Sequence, residues 1–209
     1  MSGVTPNPFT QMKLKHICCI TVLATLATTA YTNAQDLSAK YLGIDPGSSV
    51  KGTFDGTNFR FIQSGLVQFE GFEAFCVEPT QGISINEVID YDIAFTYSSP
   101  EATESIAKLV GNFYSSGQTA SEAAATQWAI WEVVIDGSGG SLFSGSAQVD
   151  NTAIGHLANS YLGQLPTLPA ADVEFLTNPK RQDMVRLVPE PASASLFALA
   201  SLLLFRRRR

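Results

Sequence analysis

The sequence predicts an α+β domain, and three observations carry that reading. Over residues 35–75 apolar and polar side chains alternate, the signature of half-buried strands. Over residues 99–162 the apolar spacing lengthens to that of helices, in three runs. After Pro166 and Pro169, residues 173–176 and 183–188 return to strand character and rejoin the sheet.

Each element has a local cause. Residues 52–62 alternate around an Asp55-Gly56 turn, and residues 65–72 alternate again. Phe75, Cys76 and Val77 continue an apolar run that Pro79 ends by withholding a ladder donor, which puts Cys76 near a strand terminus. Residues 84–97 form one more extended segment, interrupted at Asp90-Tyr91-Asp92. Ser99, Pro100 and Glu101 punctuate the start of a first helix, in which Ile106, Leu109, Val110 and Phe113 share a face and which Gly117 ends. Thr119 and Glu122 have capping-box spacing, so a second helix starts there and carries Ala123, Gln127, Ile130, Trp131 and Val134 down one side. That arrangement turns Gln127 toward the core. Glycines in 137–140 close the second helix, and residues 150–162 make a third, with His156 and Tyr161 on it.

Both ends of the chain read as address labels. Residues 1–34 have a basic start (Lys13, Lys15, His16), an apolar stretch over 17–27 and a small-residue cleavage site at Thr32-Asn33-Ala34, the pattern of a secretory signal. On that pattern Met12 is a better initiator than Met1, and the mature chain is exported. At the other end Pro189-Glu190-Pro191 precedes a nearly unbroken apolar run over 192–205 and four arginines, Arg206, Arg207, Arg208 and Arg209. Fourteen residues cover about 21 Å, short for a permanent span of about 30 Å, and the arginines keep the C-terminus on the cytoplasmic side. This suits transient membrane anchoring. The combination resembles a PEP-CTERM sorting signal. That resemblance implies a Gram-negative bacterium, an exosortase-type processing enzyme as partner, and release to the cell envelope or an extracellular polysaccharide matrix.

Between the labels, residues 35–188 are long enough for one domain with its own core. They carry seven Lys and Arg against eighteen Asp and Glu, a net charge near −11 that the basic tails reduce to −6 for the whole chain. Such a surface excludes nucleic acid as a natural partner. Glu70, Glu73 and Glu78 lack the dense alternation of an EF-hand loop, so no metal is expected. No cofactor is expected either, because the glycines of 137–140 follow a helix and lack the strand-turn-helix setting of a phosphate loop.

Cys18 and Cys19 leave with the signal, so the exported domain holds a single thiol, Cys76, and no internal disulfide is possible. A buried carboxamide such as Gln127 must be hydrogen-bonded or used chemically. Packed together and kept dry, a thiol and a carboxamide can expel ammonia and leave a thioester, a stored acyl donor for an outside nucleophile. Phe75, Tyr97, Trp128 and Trp131 are candidate aromatic cover.

The motif Phe75-Cys76-Val77-Glu78, followed some fifty residues later by Thr126-Gln127-Trp128-Ala129-Ile130-Trp131, resembles the Cys and Thr-Gln-X-Ala pair of bacterial thioester (TQXA-type, Cys-Gln) surface domains. The resemblance implies a Cys76–Gln127 crosslink supported by Phe75, Glu78, Thr126, Trp128, Ala129 and Trp131. It also implies an antiparallel β-sandwich or barrel with a helical insertion of about three helices. Described members are mostly Gram-positive adhesins that capture host amines, whereas this chain ends in a PEP-CTERM tail. The resulting expectation is an exported, non-enzymatic surface or matrix protein. Its thioester would attach to an amine or hydroxyl, including one on a polysaccharide, in adhesion or biofilm.

Other uses of the same residues stay open. The crosslink could serve only as a staple, since closing a loop of about fifty residues stabilises by about 4 kcal/mol on the relation developed for disulfides. A cysteine hydrolase would pair Cys76 with His156, the one histidine of the mature chain. A passive structural or carbohydrate-binding matrix protein would keep the same fold with a free thiol. Iodoacetamide labelling of the native protein is expected to separate a free thiol from a thioester.

Overall fold

The computed structural model describes residues 36–188; the signal and sorting tail read from the sequence lie outside the described residues. Seven strands and three helices follow the order β1 (Asp36–Phe54), β2 (Thr57–Phe69), β3 (Phe72–Cys76), β4 (Val88–Ala94), α1 (Pro100–Phe113), α2 (Ala120–Ile135), β5 (Ala147–Val149), α3 (Thr152–Gln164), β6 (Val173–Thr177) and β7 (Met184–Leu187). The chain has an α+β fold, an antiparallel sheet with three helices inserted between β4 and β6.

The sheet closes on itself. Going round, β1 pairs β2, β2 pairs β3, β3 pairs β7, β7 pairs β6, β6 pairs β4 and β4 returns to β1, every pair antiparallel. The closure is visible at two consecutive residues of β1. The Lys40 carbonyl accepts from the Glu70 N–H on one edge, while Tyr41 exchanges both its backbone groups with Asn86 and Glu87 on the other. Long β1 can serve two neighbours because register shifts near Gly43, Gly47 and Gly52 bend it. Its hairpin to β2 turns on Asp55 and Gly56, both at positive φ (47° and 76°), the backbone that an Asp-Gly pair tolerates best.

Helix α2 is the core of the molecule. Residues 123–133 are all buried, so this helix has no solvent face and lies between the barrel and the other two helices. That is why its sequence is apolar almost all round. Its start is the capping box read from the sequence: the Glu122 N–H donates to Thr119 Oγ1 at 3.2 Å and the Thr119 N–H to Glu122 Oε2 at 2.7 Å. Trp128 is seated directly over Gly52 of β1, with no room for a β-carbon between them, and stacks on Phe54 at 5.1 Å. Any side chain at position 52 would push α2 off the sheet.

Several elements differ from the sequence expectation, among them β4, which occupies only Val88–Ala94 of the extended segment expected over 84–97. Helix α1 stops at Phe113, four residues before Gly117, because Tyr114 turns extended and its hydroxyl donates to Glu73 on β3 at 2.7 Å. Helix α3 begins at Thr152 rather than at residue 150, capped by Asn151, whose side chain accepts from Ala153 and Ile154. Strand β5 was unread, since three residues cannot show a period; its register comes from β1, where Gly52, Thr53 and Phe54 pair with it.

Candidate functional site

Cys76 is the last residue of β3, and strand parity explains what its backbone faces. Phe75 pairs with Val185 of β7, and the Val77 N–H donates to the Asp183 carbonyl at 2.8 Å, so residues 75 and 77 bond toward β7. Residues 74 and 76 bond the other way, toward β2. Ala74 finds Val67 there, but the β2–β3 ladder covers only residues 67–69 against 72–74. Cys76 lies beside Met184 of β7, but its buried N–H and C=O point to the other side, where no strand is paired with it.

Gln127 of α2 fills the gap. Its Oε1 accepts from the Cys76 N–H at 2.9 Å, and its Nε2 donates to the Cys76 carbonyl at 2.6 Å. The carboxamide acts as a one-residue surrogate strand. A ring closed by two such bonds puts Cδ of Gln127 about 4 to 5 Å from the Cα of Cys76, the atom from which the thiol hangs. Both residues are sealed, Cys76 at 3 % exposure and Gln127 at 1 %. The pair that the sequence singled out is in contact, 51 positions apart in the chain.

The thiol has a dry surrounding. Its Sγ–H donates to the Glu78 carbonyl at 3.1 Å. Burial pushes the thiol up to about 12, against the opposing pull of the Glu78 backbone and of the Trp131 indole N–H, and the carboxylates of Glu78 and Asp183 add to the rise. That indole makes no hydrogen bond of ordinary geometry, yet it faces the sulfur closely enough to favour the thiolate. The thiol is therefore held in its neutral form. This overturns the alkylation test: a buried, protonated Cys76 resists iodoacetamide whether or not it is acylated.

The supporting residues divide by position. Trp131 covers the sulfur, and Trp128 stands behind it, edge-on to Trp131 at 5.2 Å. Phe75 points to the opposite face of β3, against Tyr114, so it holds the strand and does not cover the thiol. Tyr97 stacks on Phe175 of β6 at 5.4 Å, and burial raises its hydroxyl pKa. Thr126 and Ala129 are fully buried, the Thr126 hydroxyl donating to the Glu122 carbonyl at 3.0 Å. The Glu78 carboxylate accepts from the N–H of Thr80 and of Gln81, which fixes the loop that carries the thiol's acceptor. His156 is exposed on α3 with its ring against Phe143, and it is not among the groups acting on Cys76.

Among the described residues no three His, Cys, Asp or Glu side chains gather as metal ligands; Glu73 and Glu78 are engaged separately by Tyr114 and by the 80–81 backbone. Among them, too, no helix is long and apolar enough to cross a membrane.

Two features escaped the sequence. Glu132, one turn past Trp128, has no exposed surface and neither carboxylate oxygen has a partner. Burial and then Asp136 raise its pKa to about 7. Beside Trp131 a cleft of about 320 Å³ opens between β1, β2 and the loop after Cys76. Its wall includes Phe59, Phe61 and Gln63 of β2, whose i, i+2, i+4 spacing was legible but had no partner assigned to it.

A scan against protein-family models, a search of curated proteins and a search of solved structures each found no match for this chain.

Proposed function

We propose that this is an exported surface or matrix protein whose Cys76 and Gln127 condense to an internal thioester that acylates an outside amine or hydroxyl. The observation that carries the proposal is the two-point seating of the Gln127 carboxamide on the backbone of Cys76 inside a sealed core. The likeness to TQXA-type motifs, to a secretory signal over 1–34 and to a PEP-CTERM tail over 189–209 supports the same reading, including export and handling by an exosortase-type enzyme.

The chemistry balances without a cofactor. Sγ of the neutral thiol attacks Cδ; the C–S bond forms, the C–Nε2 bond breaks, and the thiol proton leaves on nitrogen as ammonia. The Cys76 N–H already donates to Oε1, where negative charge develops, so it polarises the carbonyl and stabilises the tetrahedral oxyanion. The same N–H stays in place for the reverse chemistry. When a nucleophile attacks the thioester, Sγ departs and takes the proton the nucleophile loses. A sulfur whose thiolate is disfavoured by burial is a reluctant leaving group, which preserves the bond until a nucleophile is seated beside it.

Intact mass is the test. Fresh wild-type domain should weigh one ammonia less than its sequence, and Cys76→Ala and Gln127→Ala should each restore full mass. Full mass in the wild type would end the proposal. It would favour a second reading, which the ladder geometry itself suggests: an ordinary structural glutamine replacing a missing strand partner.

A further inference from the structure

We infer that the cleft beside Trp131 is the access groove of the acyl donor, and that its ligand is a glycan whose sugar ring carries a free primary amine. The inference rests on the thioester reading above and adds the substrate class.

Position comes first. Trp131 lines the cleft and its indole N–H also acts on the Cys76 thiol, so this one side chain touches both the cleft and the surroundings of the sulfur. The opposite rim is the loop at Pro79, Gly82 and Ile83, which follows the Glu78 carbonyl that holds the thiol. Cys76 and Gln127 do not line the cleft themselves; Trp131 and the loop after Glu78 connect it to them.

The lining defines the ligand. Phe59 and Phe61 offer exposed aromatic surface above the buried Tyr41 and Trp131, and Gln63 and Gln182 offer carboxamides. Phe61 is 74 % exposed, an aromatic presented to solvent at the rim. Flat apolar faces with amide donors and acceptors suit a sugar ring, whose C–H faces stack on aromatics while its hydroxyls hydrogen-bond. No charged side chain lines the cleft, although the domain is strongly acidic, so a charged peptide finds no complement there.

The attacking atom follows from what is missing in the lining. No imidazole or carboxylate is present to take a proton from a hydroxyl, so an alcohol would enter as a poor nucleophile. An amine needs no such base once it is neutral. An aromatic cleft without carboxylates favours the neutral amine over the ammonium, because desolvation penalises the charged form.

The experiment uses the purified domain with glucosamine oligomers, the fully N-acetylated oligomers, glucose oligomers, a lysine peptide and methylamine, read by intact mass and by thiol titration after denaturation. Glucosamine oligomers should add covalently at least tenfold faster than the lysine peptide, and glucose oligomers should not add. The N-acetylated oligomers should compete without adding. Phe61→Ala and Gln63→Ala should slow the glucosamine oligomer at least tenfold and leave the methylamine rate unchanged. Equal rates for sugar amine and lysine peptide, adduct formation by glucose oligomers, or equal slowing of methylamine would overturn the inference. Wild type at full mass would defeat the thioester reading alone. The groove is then judged by calorimetric binding of N-acetylated oligomers, lost in Phe61→Ala if the sugar site exists; no binding to wild type refutes it.

Discussion

Replacing Cys76 by serine separates a covalent staple from a well-placed hydrogen-bond partner. Serine keeps a donor for the Glu78 carbonyl and leaves both Gln127 bonds to the residue-76 backbone in place. Without a crosslink, the substitution exchanges one small buried donor for another, an effect within about 1 kcal/mol. With a crosslink, the wild type gains from a closed loop of 51 residues, about 4 kcal/mol on the chain-entropy relation. It loses the Nε2 bond to the Cys76 carbonyl, since that nitrogen has left, which offsets about 1 kcal/mol. The net expectation is a Cys76→Ser variant less stable by roughly 3 kcal/mol, or about 6 to 12 °C in Tm for a domain of this size. Urea denaturation of wild type, Cys76→Ser and methylamine-opened wild type measures it. The last two should coincide, because opening restores the unlinked topology. A variant within about 1 kcal/mol of a wild type that itself ignores methylamine would refute the crosslink and the energetics together.

Three further outcomes are expected. Glu132 has a folded-state pKa near 7 against an unfolded value near 4.5, so its neutral form is favoured in the native state and stability falls as pH rises between those values. The loss amounts to roughly 2 to 3 kcal/mol between pH 5 and 8, and Glu132→Gln should flatten it and stabilise the protein at pH 8; an unchanged slope in denaturant midpoints would show that Glu132 titrates normally. Trp131→Phe keeps a ring over the sulfur but removes the indole N–H and part of the cover, so the ammonia deficit should still form and thiol should appear several-fold faster in plain buffer, read with a thiol reagent after denaturation. Gly52→Ala should destabilise by about 2 kcal/mol or more by forcing Trp128 off β1, whereas Gly139→Ala, with open space around it, should change thermal stability little.

Much of the arrangement was legible because it was local. Alternation marked β1 to β3, the Asp55-Gly56 pair marked their first turn, and Thr119 with Glu122 placed the start of α2 within a residue. Cys76 at a strand end followed from Pro79, and an inward Gln127 from helical spacing. What local pattern could not show was which backbone edge lacks a partner. Phe75 and Cys76 are adjacent in sequence, yet one packs on Tyr114 and the other meets α2, and only the β3–β7 register decides which. The buried Glu132 was likewise hidden, because a glutamate on a helix reads as solvated until a neighbouring loop is seen to close over it.

The amino-acid order by itself determined the class of fold, the number of helices, the acidic character of the domain and the two side chains worth pairing. These follow from spacing, capping chemistry and composition, which act over a few residues. Tertiary structure decided the closure of the sheet, the surrogate-strand seating of Gln127 and the aromatic cleft beside Trp131. Those depend on where strands of unequal length run out of partners, and a buried backbone N–H and C=O left without a strand must be satisfied by whatever the fold brings beside them.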